Sequence, residues 1–177
     1  MLKFLIVGEN SIDKKSLVDL LLMNEGLFSV AKVFTTNPNI EESKYDYYLN
    51  NKELGICYKN NALLFVKTNT NVSYGITLEE FYDNNLIVLN TEDFNNISNK
   101  IFLSNNELII VWLDTKNHNK DTLNKEIYES NYLFEKIENS NLSYLYFLDC
   151  SNIEIMDVIV EYLKCPEKRL ELLKKYQ

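Results

Sequence analysis

Arginine is almost missing from this chain: Arg169 is the only one among 177 residues. The planar guanidinium fork is the side chain best suited to gripping phosphate at two points, so chemistry that needs several such forks lacks its usual means. Histidine is as scarce. His118 stands alone in an Asn- and Lys-rich stretch and is expected in a solvated loop rather than in acid–base work. Three cysteines, Cys57, Cys150 and Cys165, are an odd number without metal-ligand spacing, and no Cys/His/Asp set has the spacing of a nucleophile and its base. They are expected as reduced thiols of a cytoplasmic protein, with Cys150 at a strand end. Glycine and proline number only four and two, and there is no Pro/Gly/Ser linker and no internal repeat. A single domain over 1–177 is therefore expected. No apolar run approaches the roughly 18 residues of a membrane span, and Met1-Leu2-Lys3 leads straight into a strand, so no targeting segment is expected.

What is abundant is acid, asparagine and hydrophobic surface. A formal charge of −8 gives long-range attraction to nucleic acid or an anionic membrane the wrong sign, and the short Lys14-Lys15 and Lys174-Lys175 pairs do not reverse it. Hydrophobic residues make up 46%, enough for a sizeable core. There are 25 asparagines, far above common usage, scattered between apolar elements as suits loops and helix ends. AT-rich coding, as in low-GC bacteria and their phages, accounts for them better than a prion-like tract.

Hydrophobic periodicity divides the chain into alternating elements. Lys3 to Val7 and Phe28 to Phe34 are expected strands around a helix over Ser11 to Met23, together a β-α-β unit. Tyr45 to Leu49, Gly55 to Tyr58 and Ala62 to Lys67 alternate aromatic and polar residues and are expected as antiparallel strands with Asn-containing turns. Helix is expected at Leu78 to Asp83 and Asp121 to Glu138, and strand at Leu86 to Leu89, Glu107 to Leu113 and Leu142 to Leu148. Ser151 and Glu154 have capping-box spacing ahead of a helix with Ile153, Met156, Ile159 and Val160 on one face. Pro166 suits the first turn of a terminal helix that ends in basic residues. Such alternation predicts an α/β fold with a parallel sheet flanked by helices.

The segment with most chemical content is Phe4-Leu-Ile-Val-Gly8-Glu-Asn-Ser-Ile-Asp13-Lys14-Lys15-Ser16-Leu17. A phosphate-binding loop reads G-x-x-x-x-G-K-[ST], its glycines letting backbone N–H groups close round phosphates. Gly8 and Lys14 stand in register with it. Asp13 replaces the second glycine and Lys15 the magnesium-holding hydroxyl, while Ser16 remains able to touch a phosphate. A carboxylate at Asp13 would oppose an anionic phosphate. The plainer reading has Asp13 at the positive end of a helix dipole and Lys14 and Lys15 on the surface.

Beyond this loop the order of features resembles guanylate kinase, a P-loop nucleoside monophosphate kinase. Gly26-Leu-Phe-Ser29, Thr35-Thr36-Asn37-Pro38, Asp46-Tyr47-Tyr48 and Tyr74-Gly75-Ile76-Thr77 follow in the family's order, the second resembling T-T-R-x-P-R and the last Y-G-T-S. The resemblance implies a P-loop-type core over 1–34 and 78–177, with a small inserted β-rich subdomain over 35–77. It implies nucleotide-binding positions at Gly8, Lys14 and Ser16 and substrate-side positions at Thr35, Tyr47, Tyr74 and Thr77. ATP and magnesium are implied only if the chain is a kinase.

The departures from the family are in its working residues. A serine ahead of the double threonine, two arginines after it, a glutamate and the hydroxyl residue after Y-G hold the nucleoside monophosphate there; the matching positions here are Val33, Asn37 and Asn39, Phe65, and Ile76. The family's arginine-bearing lid is expected to be shortened and arginine-free between Asp114 and Lys120. Glu92-Asp93 lies near the family's substrate-contacting aspartates, though acids at a helix start have a capping explanation. Phosphoryl transfer rests on positioning and electrostatics, to which arginine contributes about 10³-fold or more. A degenerate, non-catalytic domain that binds a protein partner or, weakly, a nucleotide is therefore expected, the alternative being a divergent nucleotide kinase using Lys14. A receiver-domain fold is the weaker reading of the opening, because no apolar third strand ends in an exposed Asp.

Overall fold

The computed structural model describes residues 2–10, 12–102, 108–115, 132, 134–138, 140 and 142–177. Four strands, β1 (Lys3–Gly8), β6 (Leu86–Leu89), β7 (Leu108–Asp114) and β8 (Ser143–Leu148), form a parallel sheet in the order β6-β1-β7-β8. β1 lies inside it, Ile6 facing Val88 of β6 on one side and Val111 of β7 on the other. Every residue of β1 is buried, as a parallel strand covered on both faces requires.

The two faces follow the period of two along β1. Phe4 and Ile6 point to a core shared with Leu17 and Leu21 of helix α1 (Lys14–Leu22) and with Ile155 and Ile159 of helix α5 (Asn152–Lys164). Leu5 and Val7 point to the other core, with Ile87, Ile110, Trp112 and Phe94, the last from α4 (Thr91–Phe102). A second sheet closes that side. Its order is β3 (Asp46–Tyr48), β2 (Val33–Thr35), β5 (Val72–Thr77), β4 (Leu63–Asn69), and it buries Leu64, Phe65 and Ile76. Helix α3 (Leu78–Asp83) leads back to β6. A 3-10 turn (Pro166–Lys168) and helix α6 (Arg169–Lys175) end the chain, the latter with Lys174 and Lys175 in its last turn.

The structure is an α/β fold with a parallel sheet flanked by helices and a small second sheet, as expected, and α3, β6, β7 and β8 fall at or within one residue of their expected positions. Four local expectations change. Gly55 to Tyr58 is helical, inside α2 (Asn51–Lys59), because Asn50 and Glu53 make a reciprocal capping box with both bonds at 3.0 Å. β5, which was not expected, is one of the two inner strands of the second sheet, and β3 runs parallel to β2 rather than antiparallel. β2 pairs within the second sheet, and the residues ahead of it meet the parallel sheet through an isolated Val30–Leu86 bridge, so β1, α1 and β2 are not a β-α-β unit of one sheet. In α5 the Ser151–Glu154 capping box is present, but the buried face is Ile155, Val158, Ile159 and Tyr162, with Ile153 exposed. The expected helix over Asp121 to Glu138 and the loop around His118 lie mostly outside the described residues, of which 132 and 134–138 are helical.

Candidate functional site

Because the four strands of the parallel sheet point the same way, their carboxyl ends form one rim, the place where α/β sheets hold ligands. The turn from β1 to α1 lies there. Gly8 at its start packs closely on β7: a Cβ would stand 3.1 Å from the Leu113 carbonyl oxygen and 3.2 Å from the Leu113 side chain.

Lys14 folds back over the turn. Its Nζ donates to the carbonyl oxygens of Gly8 at 3.0 Å and Glu9 at 2.5 Å, and more distantly to that of Ile12 at 3.4 Å. Burial pushes its pKa down to about 8, against the pull of Glu9, Asp13 and Asp93, which favour the charged form. It is half-buried rather than a surface residue; Lys15 is exposed and lies 3.7 Å from Asp46.

The backbone donors of the turn are also engaged. Ile12 N–H donates to the Glu9 carbonyl and Lys14 N–H to that of Ile12. Asp13 is the N-cap of α1: its carboxylate accepts from Ser16 N–H at 3.1 Å and from the Ser16 hydroxyl at 2.5 Å, which lowers its pKa. The helix start that would cradle an anion is thus occupied by the chain's own carboxylate. A cavity of about 410 Å³ beside the turn is lined by Asn10, Ile12, Asp13, Lys14, Lys15 and Val88. With Asp13 on its wall and Lys15 where a magnesium-holding hydroxyl belongs, this donor set does not fit a polyphosphate with its metal.

The four substrate-side candidates lie together on the second sheet. Thr35 pairs with Tyr74 across β2 and β5, and its hydroxyl accepts from Asn37 N–H at 3.2 Å. Tyr47 packs edge-on against Phe34, its ring centroid 6.5 Å away, and its hydroxyl interacts with the Thr77 side chain. Burial raises the pKa of Tyr47. Thr77 also caps α3, accepting from Glu80 N–H at 3.2 Å. Tyr47 and Tyr74 are both half-buried. Phe65 and Ile76, at the positions matched to nucleoside-holding polar groups, are buried in the core.

A chain of charges joins this sheet to the turn. Lys67 of β4, beside Tyr74, is ion-paired with Glu92. Asp93, the next residue, feels both Lys67 and Lys14, and burial raises its pKa. Only 7% of Asp93 is exposed, and its Oδ1 has no hydrogen-bond partner. Asn90 caps this helix start instead, accepting from Asp93 N–H at 2.7 Å. The capping explanation therefore fails for the Asp93 side chain. Lys67 escapes sequence reading because it lies 25 residues before Glu92 in the chain; the acidic pair Glu92-Asp93 after an apolar strand was the one available signal.

No family model matches the chain, and no curated protein matches it. The chain is similar in structure to a guanylate kinase from Anaplasma phagocytophilum, with a TM-score of 0.54 over 93% of this chain and 85% of that one, at 12% sequence identity. That likeness is one of fold.

Proposed function

We propose that this chain is a degenerate guanylate kinase-like domain that does not transfer phosphate and acts by binding a protein partner, with at most weak affinity for nucleotide. One observation carries the reading: the groups that would meet a phosphate are already spent on the turn itself. Lys14 is held by carbonyls of the turn, and Asp13 takes the N–H and hydroxyl of Ser16. Buried Phe65 and Ile76 add to it, since a nucleoside monophosphate placed against them would leave polar groups unpaired at about 1–3 kcal/mol each. An uncharged groove of about 630 Å³ along β4, walled by Cys57, Tyr58, Leu63, Phe65, Leu78 and Asn96, suits side chains better than phosphate.

Calorimetric titration with ATP and magnesium, with and without GMP, tests this reading. Little or no heat is expected, together with no ADP release. Asp13→Gly should strengthen ATP binding by removing a negative charge, and Lys14→Ala should abolish whatever remains. Micromolar ATP affinity in the unaltered chain would overturn the weak-binding reading, and turnover that depends on Lys14 would establish the divergent kinase in its place.

A further inference from the structure

The rim that a phosphate would need to be positive is lined by acids. In sheet order the residues at or just beyond the strand ends are Glu92 and Asp93 after β6, Glu9 after β1, Asp114 closing β7, and Asp149 after β8. Neighbouring strands are about 4.8 Å apart, so this row runs across the sheet with no arginine in it. Among the described residues, two lysines face the row. Lys14 is committed to carbonyls of the turn, and Lys67 to Glu92. Asp93 lies between them in the electrostatic sense, feeling both, with its buried Oδ1 bonded to neither. A buried carboxylate oxygen without a donor is costly and calls for one.

We propose that the Glu92–Asp93 end of this rim is a binding site for an organic cation, a guanidinium or primary ammonium group that brings N–H donors to Asp93 Oδ1 and displaces Lys67 from Glu92. Coulomb's law favours such a group where it disfavours phosphate. Among the described residues no cluster of three or more His, Cys, Asp or Glu side chains is placed to hold a metal ion, so a cation that carries its own donors fits better than a bare divalent one. The entrance is the Lys67–Glu92 pair, whose Glu92 side chain is 57% exposed. The site goes beyond the proposed function and does not depend on whether nucleotide binds.

The reporter is built in. Trp112, the chain's only tryptophan, is buried with its ring centroid 6.3 Å from that of Phe94, the residue after Asp93. Argininamide and spermidine are titrated separately against the whole chain at low salt, following Trp112 fluorescence and heat, with magnesium chloride as the counter-ion control. Saturable binding of argininamide or spermidine is expected, the stronger identifying the guanidinium or ammonium form, and magnesium alone should not reproduce it. Asp93→Asn should weaken binding about tenfold or more, the size expected when a charged hydrogen bond is lost. Glu92→Gln should weaken it less, and Glu171→Gln on α6 should leave it unchanged. Far-UV circular dichroism checks that each variant is folded; should Asp93→Asn fail to fold, the difference between Glu92→Gln and Glu171→Gln decides. Binding of neither cation, equal binding of magnesium, or equal effects of the rim and α6 substitutions would overturn the proposal.

Discussion

Replacing Lys14 by methionine separates a lysine that holds its own turn from one kept for a ligand. In the structure its two close bonds run to the carbonyls of Gly8 and Glu9, at 3.0 and 2.5 Å. Hydrogen bonds from a charged donor contribute about 1.5–3 kcal/mol each. Burial of the charge opposes them: a fall from 10.5 to about 8 corresponds to roughly 3 kcal/mol at about 1.4 kcal/mol per unit. Methionine keeps the apolar stem but removes this donor from the carbonyls and one positive charge that Glu9 and Asp93 feel. The balance predicts that Lys14→Met lowers stability at pH 7 by about 1–3 kcal/mol, measured by urea unfolding. Lys15→Met, at an exposed site, should stay within about 0.5 kcal/mol of the parent. The pH dependence supplies a second reading. The folded lysine sheds its proton near pH 8 and the unfolded one near 10.5, so between these values the unfolded chain binds more protons. Stability contributed by Lys14 should therefore rise with pH through that window, by at most about 3 kcal/mol, and Lys14→Met should flatten the rise. A variant as stable as the parent at pH 7, with an unchanged slope from pH 8 to 10, would refute the claim that the turn is built around this amine.

Three further outcomes are expected. Gly75→Ala should destabilise the second sheet by about 1–3 kcal/mol or more, since a Cβ there would overlap the Phe65 carbonyl oxygen of β4 and stand 3.0 Å from Phe34; an unfolding midpoint equal to the parent's would refute it. Asn50→Ala should cost about 1 kcal/mol and lower the helical circular dichroism signal by loss of the α2 cap, whereas an unchanged midpoint would argue against the capping box. Tyr146 donates to Asp114 at 2.8 Å, and burial and that carboxylate hold its pKa well above the ordinary range. In an ultraviolet titration it should ionise only well above the ordinary tyrosine range, and Asp114→Asn should bring its titration down.

The parallel sheet could be read from the sequence because its strands carry their own signal. β1, β6 and β7 are apolar apart from Lys3 and Asp114 at their ends, as burial on both faces demands, and the cap at Ser151 is a local hydrogen-bond pattern within four residues. The turn at Gly8 to Lys14 was visible for the same reason, including the conflict between its spacing and the carboxylate at Asp13. Around Gly55 to Tyr58 the local signal misled: the aromatic and polar alternation suggested a strand, and the Asn50–Glu53 cap favoured a helix. Which sheet β2 joins was a tertiary matter, since a strand of only three residues pairs wherever a free edge with the right register is offered. The direction of the Lys14 side chain, and the meeting of Lys67 from β4 with Glu92 and Asp93 of α4, were likewise decided only by folding. The sequence determined which residues carry charge and which must be buried. The position of an unpartnered carboxylate among those charges depends on contacts between distant segments, and a charge acts through distance in space, which spacing along the chain does not encode.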